Sequence, residues 1–146
     1  MSKSNSWENA LQLLLFNNTN AANIGDATGL RGSSTAGSLY VSLHTGDPGE
    51  AGDQTTNEAS YTSYGRIAVA RSSGGWTISA NSASNTALVT FAACTGGSNT
   101  ITHFGIGTAL SGAGVLLGSG ALGASLAVSN GITPEFAIGA ITWSED

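Results

Sequence analysis

The feature that most constrains this chain is a run of 63 consecutive residues, Ser72 to Pro134, without a single Asp, Glu, Lys or Arg. Within this run, only Cys94 and His103 carry side chains that titrate near neutral pH. Most of the other residues are Gly, Ala, Ser, Thr, Asn and aliphatics, which pack sheets and neutral surfaces but do not supply an acid and a base. The run therefore favours a structural or binding role over catalysis.

The composition of the whole chain points in the same direction. Its 146 residues include 21 Gly and only 9% charged residues, with a net charge of -5. A chain of this length can bury a core large enough for one folded domain, and its four basic residues offer no surface that would follow a nucleic acid backbone. Cys94 is the single cysteine, and no apolar run reaches the roughly 20 residues of a membrane span. We expect folding in a cytoplasm, with neither nucleic acid nor membrane as partner.

The N-terminal segment carries the one strong helical pattern. Residues 5–16 begin with Asn5 as a capping residue and Glu8 as its reciprocal partner. The apolar face of this helix consists of Trp7, Leu11, Leu14 and Leu15. Because a helix of about 12 residues is marginal alone, we expect this face to dock on the rest of the chain or on a neighbouring subunit.

A long polar connection follows the helix over residues 17–38, with Ile24 and Leu30 as apolar anchors. Connections of this length are unusual unless they bind something. The chain is therefore divided into an N-terminal helix and extended arm, residues 1–38, and a β-sandwich domain, residues 39–146. The candidate interface residues are Trp7, Leu11, Leu14, Leu15, Ile24 and Leu30.

From residue 39 onward the sequence has the alternation and the turn residues of short strands. Leu39, Val41 and Leu43 alternate with more polar residues before a turn at 46–49. The further candidate strands are residues 66–71, 76–80, 87–91, 100–106, 115–117, 125–128 and 135–143. This pattern predicts a mainly β fold, an antiparallel β-sandwich or jelly-roll-like domain with one N-terminal α-helix.

Two patterns suggest bound cofactors, and neither is convincing. Gly118 to Gly123 satisfies G-x-G-x-x-G, but the following residues predict a strand instead of the helix that a dinucleotide site needs. One Gly-rich loop contains four acidic residues, Asp47, Glu50, Asp53 and Glu58. Their spacing is not that of a calcium-binding EF-hand loop. We therefore expect no cofactor and no metal.

Isolated reactive side chains are better explained as structural. His44 and His103 are far apart in sequence and are expected to be polar surface or interface residues. Cys94 has no basic neighbour in sequence to activate it, so a small buried cysteine is expected. The aromatic residues could stack on a sugar, although core packing is the simpler interpretation. They are Trp7, Trp76, Trp143, Tyr40, Tyr61 and Tyr64.

Several longer runs are similar to a known family. They include residues 39–56, 61–71, 102–108 and 126–136. The second of these runs begins with Tyr-Thr-Ser-Tyr-Gly-Arg. With these runs the chain resembles a family of small tailed-bacteriophage structural proteins, and the resemblance extends over nearly the whole chain, including the helix. The resemblance implies a non-enzymatic virion protein made in the host bacterial cytoplasm.

Two roles in the virion are compatible with this resemblance. The first is a capsid cement or decoration protein that binds the major capsid protein and stabilises the head. The alternative is a tail fibre or a tail-associated receptor-binding accessory, with tail proteins as partners. Because a long neutral surface is tolerated between subunits, we expect self-association as a homotrimer, with a dimer as second choice.

Overall fold

The structure is a computed structural model that describes residues 3–26 and 28–145. Its elements in chain order are α1 (Asn5–Asn17), β1 (Ser38–His44), β2 (Ile67–Ala70), β3 (Trp76–Ser79), β4 (Ser82–Asn85), β5 (Val89–Thr90), β6 (Asn99–Gly107), β7 (Leu116–Val128), β8 (Glu135–Phe136) and β9 (Thr142–Ser144). The predicted mainly β fold with antiparallel sheets and one N-terminal helix is confirmed. The jelly-roll topology stays a prediction.

The chain forms two compact units. The first unit contains Met1–Ser38, Val69–Val89 and Phe136–Asp146, and the second contains Leu39–Ala68 and Thr90–Glu135. The sequence-based division into residues 1–38 and 39–146 stays a prediction. Residues 1, 2 and 27 of the predicted arm lie outside the described residues.

The N-cap of the helix of the first unit lies one residue before the predicted cap. Ser4, not Asn5, is the N-cap, and its hydroxyl accepts the backbone N–H of Trp7 at 3.4 Å. The helix ends at Asn17, after which Asn18 adopts a left-handed conformation with φ 55°. The Asn18 side chain then accepts from and donates to the backbone of Ser33, at 2.6 and 2.8 Å, which fixes the long connection.

The first unit is held together by an aromatic core and a buried amide. Phe16 packs edge-on against Trp76, with ring centroids 4.9 Å apart, and both side chains are 0% exposed. A three-stranded sheet in the order β3-β4-β9 lies in this unit, and α1 contacts β3 and β4. Strand β4 was not predicted, because its sequence, Ser-Ala-Ser-Asn, is polar. Its last residue, Asn85, is nevertheless buried. The Asn85 side chain forms hydrogen bonds with the backbone of Ala87, Ala137 and Ile141.

The prediction of a single strand over residues 135–143 is wrong, because the structure contains two short strands there. The chain forms β8, leaves the extended conformation at Gly139, where φ is 74°, and forms β9 only from Thr142. A positive φ is readily adopted by glycine. Gly139 therefore lies in a turn between two short strands.

The second unit is built on a sheet in the order β2-β1-β6-β7. Strand β1 is central, and four consecutive residues from Val41 to His44 are buried, so both of its faces are covered. Its antiparallel partner β6 places His103 directly opposite His44. The unit boundary falls within β2, after Ala68.

Strands β6 and β7 form a long hairpin. The sequence predicts two strands over residues 115–128, but the structure contains the single 13-residue strand β7. The register shifts along it, because Ile101 faces Leu126 whereas His103 faces Ala121. Strand β7 is the last strand of its sheet, so within the described residues its outer edge has no paired strand.

A buried glutamine closes the loop of this hairpin. The Gln54 side chain is 0% exposed; it accepts the N–H of Ala109 at 2.9 Å and donates to the carbonyl of the same residue at 3.2 Å. A side chain at Gly107 or Gly114 would collide with Gln54. These two glycines therefore make room for the glutamine that holds the loop.

Candidate functional site

Helix α1 turns two polar side chains inward and leaves its apolar face half-buried. Glu8, Gln12 and Phe16 are buried, with exposed fractions of 6%, 1% and 0%. The predicted apolar face is half-buried along its whole length and consists of Trp7, Leu11, Leu14 and Leu15. Because the most apolar residues of an amphipathic helix normally face the core, this inverted arrangement indicates a surface that a partner could complete. The assignment of these residues to an interface stays a prediction.

A groove of about 360 Å³ runs beside this face within the first unit. Its apolar wall contains Leu11, Leu14 and Leu15, and its other side is formed by residues 31–33. Gln12 and Glu145 also line it. An apolar concavity of this size with a few polar groups is the usual form of a binding site.

Arg71 fixes one end of the groove. Its guanidinium donates to the carbonyls of Leu14 at 2.8 Å, Leu15 at 2.6 Å and Ala36 at 3.1 Å. The first two carbonyls belong to the last turn of α1, which has no intrahelical donors for them, and a cation is favourable at this end of the helix dipole. Arg71 therefore holds the helix and the following connection in place.

The buried Gln12 amide is the least satisfied group in the groove. Neither its Nε2 nor its Oε1 has a hydrogen-bond partner among the described residues. A buried polar group without a partner costs about 1–3 kcal/mol. Both atoms are enclosed by the chain itself, so the amide lowers the stability of the first unit and is not available to a partner.

The charges at the rim leave one exposed cation. Glu145 is paired with Lys3 at 3.2 Å and accepts the indole N–H of Trp143 at 2.8 Å. The Trp143 hydrogen bond, more than the nearby Lys3, keeps the pKa of Glu145 below its usual range. Arg31 is exposed and has no ion pair with any described residue. The groove therefore combines an apolar wall with the positive charge of Arg31.

A second concave surface, of about 410 Å³, lies in the second unit. Asp47 and Glu50 border it on one side, and Leu116 and Leu117 at the start of β7 border it on the other. The Asp47 carboxylate accepts the N–H of Gly49 at 2.9 Å. Glu50 is exposed and forms no ion pair in the part of the chain that the structure describes. This surface therefore combines leucines with a negative charge.

The four carboxylates of the acidic loop do not converge. Asp53 accepts the hydroxyl of Thr55 at 2.6 Å and its N–H at 2.8 Å, and the hydroxyl bond is the main reason that the pKa of Asp53 is lowered. Glu58 is turned toward Arg66 instead, with an Oε1 to Nε distance of 2.6 Å. Over residues 3–26 and 28–145, no three His, Cys, Asp or Glu side chains are grouped as metal ligands would be.

His44 is not at the surface, so that prediction is wrong. Its ring nitrogens lie 2.8 Å from the Ser42 hydroxyl and 2.8 Å from the Thr56 carbonyl. A carbonyl oxygen can only accept a hydrogen bond, so Nδ1 carries the ring proton and donates it to the Thr56 carbonyl. Nε2 is then unprotonated and accepts the hydrogen bond of the Ser42 hydroxyl. A hydroxyl next to an imidazole is the arrangement of many nucleophilic enzymes, but Ser42 and His44 are both 0% exposed. Both faces of β1 are covered, and the pair has no access for a substrate.

The burial of His44 predicts a stability that falls in acid. Burial lowers the pKa of His44 below its ordinary value of 6.5, so the unfolded chain takes up the proton first. Stability is therefore fully present above pH 6.5 and decreases as the pH falls from there through the folded-state pKa. Chemical denaturation of the His44→Gln variant is expected to show a smaller loss of unfolding free energy as the pH falls below 6.5. The His103→Gln variant should lose as much stability as the native chain over the same pH interval. Equal pH profiles for the native chain and His44→Gln would contradict this origin.

The remaining candidates from the sequence separate into buried and exposed groups. Cys94 is a buried free cysteine, as predicted. The G-x-G-x-x-G pattern lies entirely inside β7, and no helix follows it. Ile24 and Leu30 are 39% and 42% exposed, so their assignment to an interface stays a prediction. Trp76 is 0% exposed and is unavailable for stacking on a sugar.

Sequence analysis missed the polar residues of the α1 groove. Gln12 lies on the same side of α1 as Glu8 and Phe16 by the i, i+4 spacing, but burial of its amide contradicts the usual pattern. A better signal was the scarcity of basic residues: with only four in the chain, the positions of Arg31 and Arg71 are informative. No helix among the described residues is long and apolar enough to cross a membrane.

Comparison with known proteins gives one family. A family model described as "Podophage GP4 fiber I protein gp80" matches residues 2–144. No curated protein matches the chain. The family match covers the helix, all three sheets and, apart from Glu145, both of the surfaces described above.

Proposed function

Because the chain belongs to the family of the podophage GP4 fiber I protein gp80, we propose that it is a structural subunit of the phage tail fibre. The match over residues 2–144 is the observation that carries this proposal. It supports the tail-fibre alternative of the sequence analysis better than a cement or decoration role on the capsid. Membership of a fibre protein family makes the protein a component of the virion.

The protein acts by binding and not by catalysis in this proposal. The hydroxyl and imidazole of Ser42 and His44 are enclosed, and Asp47, Asp53 and Glu58 of the 47–58 loop each bind a different partner. The surfaces that the chain offers include the half-buried apolar face of α1 and the uncharged strand β7. Such surfaces suit contacts between subunits, where charged residues are depleted.

The location in the virion is tested by labelling intact particles. Gold-labelled antibody against the purified chain, viewed by negative-stain microscopy, is expected to mark the tail. Particles that lack the protein serve as the control for specificity. Label distributed over the head would contradict the fibre role and support the capsid cement role instead.

Copies of the chain are proposed to associate with each other, first as a homotrimer and second as a dimer. The apolar face of α1 and the uncharged β7 edge support this step, because the first is only half-buried and the second has no paired strand within the described chain. Light scattering is expected to give a mass near three times the 14.5 kDa of one chain. A mass of one chain across a wide concentration range would contradict self-association.

A further inference from the structure

We propose that the tip of the N-terminal arm of one copy of the chain inserts into the α1 groove of a second copy, with Ile24 against the leucines of the groove and Asp26 facing Arg31. The arm tip is residues 22–26 of the connection that follows α1. The α1 groove is the concavity of about 360 Å³ between the apolar face of α1 and residues 31–33. This inference rests on the proposed self-association and names the surfaces that produce it.

The arm tip protrudes from the first unit. Residues 22–26 are all exposed, and a side chain at Gly25 would meet no atom within 4 Å. Ile24 is 39% exposed, and neither Ile24 nor Asp26 lines the groove of its own copy. The tip is therefore a convex apolar surface, and the groove is a concave apolar surface, so one can enter the other.

Hydrogen bonds order the loop that carries the tip. Ala21 and Leu30 exchange two backbone hydrogen bonds, each 2.9 Å long, which close the loop at its base. Asp26 stabilises the far side, because its Oδ1 accepts the N–H groups of Thr28 at 2.8 Å and Gly29 at 3.1 Å. A loop that is already ordered loses less conformational entropy when it binds. The tip is therefore preorganised for a partner.

The groove can receive an apolar side chain. Its apolar wall consists of Leu11, Leu14 and Leu15, which are half-buried in one copy. Its other wall, residues 31–33, is held by the two hydrogen bonds between Ser33 and the Asn18 side chain. Both walls belong to the first unit. An isoleucine that enters the groove therefore leaves water for contacts with leucines, which is favourable.

The basic residues of the chain leave one cation at the rim of the groove. Lys3 and Arg66 are paired with carboxylates, and Arg71 donates to backbone carbonyls. Arg31 is exposed and has no ion pair among the described residues. The occupant of the groove should consequently be apolar with an anion beside it.

Asp26 supplies that anion two residues from Ile24, which selects a second copy as the occupant. The hydrogen bond from the Thr28 hydroxyl is the main reason that the pKa of Asp26 is lowered, so the side chain is a carboxylate at neutral pH. Its hydrogen bonds to described residues end on Oδ1, which leaves Oδ2 for a cation. Ile138 is more exposed, at 71%, but its turn, residues 137–140, contains no acidic residue.

A contact between tip and groove has a consequence for assembly, because it joins two different surfaces. Such contacts close into a ring when the rotation allows, as a trimer would, and otherwise continue as a filament. Two copies that exchange their tips would form a dimer. In each case every contact uses one tip and one groove, so two copies with complementary defects retain one contact between them.

The first test uses that retained contact. Ile24→Ser damages the tip and Leu14→Ser damages the groove, and each variant alone is expected to self-associate roughly tenfold to a hundredfold more weakly in sedimentation equilibrium. An equimolar mixture should form a 1:1 dimer, because the first variant has an intact groove and the second an intact tip. Ile138→Ser is the matched control, since it removes an exposed isoleucine from another turn of the same unit, and it should assemble normally.

The second test removes the charges. Asp26→Asn keeps the Oδ1 acceptor of the loop and loses only the charge, and Arg31→Gln removes the cation; each is expected to weaken association roughly twofold to fivefold. The double variant should associate no more weakly than the weaker single variant, because the two charges act as one pair. Asp47→Asn is the matched control, since Asp47 also accepts a backbone N–H and lies outside the tip and the groove.

The outcomes separate this inference from the proposed self-association. A native oligomer that is unaffected by Ile24→Ser, or affected as much by Ile138→Ser, overturns the inference and leaves self-association standing. A native chain that is monomeric overturns both. Failure of the mixture to form a dimer, with each variant folded by circular dichroism, also overturns the inference. Charge effects that add in the double variant overturn it too, since the two side chains then do not face each other.

Discussion

Replacing Arg66 with Ala is expected to lower the free energy of unfolding by about 3–5 kcal/mol, which is the typical cost of breaking a buried ion pair. Arg66 is 6% exposed, and its guanidinium binds both carboxylate oxygens of Glu58, at 2.6 and 2.7 Å. It also donates to the carbonyl of Ala109 at 2.9 Å. Removal of the cation would leave the Glu58 carboxylate without the charge that compensates it.

The Tyr64 hydroxyl adds to the same cluster. It donates to Glu58 at 2.9 Å and accepts the N–H of Leu43 at 3.1 Å, and burial is the main reason that its pKa is raised. The cluster thus connects β1, the segment around residue 58 and the loop around residue 109 within the second unit. Its loss should affect the whole unit and not one side chain alone.

Urea denaturation of the variants measures these effects. Lys3→Ala is the matched control, because it breaks the more exposed pair with Glu145, with side chains 34% and 24% exposed, and surface pairs are worth about 0–1 kcal/mol. The double variant Glu58→Leu/Arg66→Met should recover much of the loss, since a buried pair can be replaced by apolar residues of similar size. Equal effects of Lys3→Ala and Arg66→Ala would contradict the structural role of this pair.

The alternation of apolar residues was sufficient to predict most strands. Residues 66–71, 76–80 and 100–106 contain β2, β3 and most of β6, because half-buried strands have a period of two. Strand β4 could not be predicted in this way, since it is stabilised by the buried Asn85 amide. The inward position of His44 was also hidden, because the alternation places His44 on the more polar face of β1 and the structure buries that face as well.

The candidate site was predictable only in part. The sequence identified the apolar residues of α1, but it could not show that Glu8 and Gln12 face the interior instead. Helical periodicity gives the angle between two faces and not which of them packs on the protein. Arg71 fixes the orientation of the helix by donating to carbonyls more than 50 positions away in sequence. Such a contact leaves no local pattern in the sequence.

Replacing Phe16 with Ala is expected to lower the free energy of unfolding by about 3–5 kcal/mol, the usual cost of removing a buried aromatic side chain. Phe16 is 0% exposed and packs edge-on against Trp76 and Trp143, with ring centroids at 4.9 and 5.8 Å. Leu14→Ala is the matched comparison on the same helix. Because Leu14 is only half-buried in a single copy, its loss should cost about 1 kcal/mol.

The comparison must be made where the chain is monomeric, since a partner on the α1 face would add to the cost of Leu14→Ala. Denaturation at dilution, with the mass checked by light scattering, isolates the contribution within one copy. Repeating it at a concentration where the chain is oligomeric should raise the cost of Leu14→Ala and leave that of Phe16→Ala nearly unchanged. If Leu14→Ala cost as much as Phe16→Ala at dilution, the helix would bury its apolar face within its own chain, and no face would remain for a second copy.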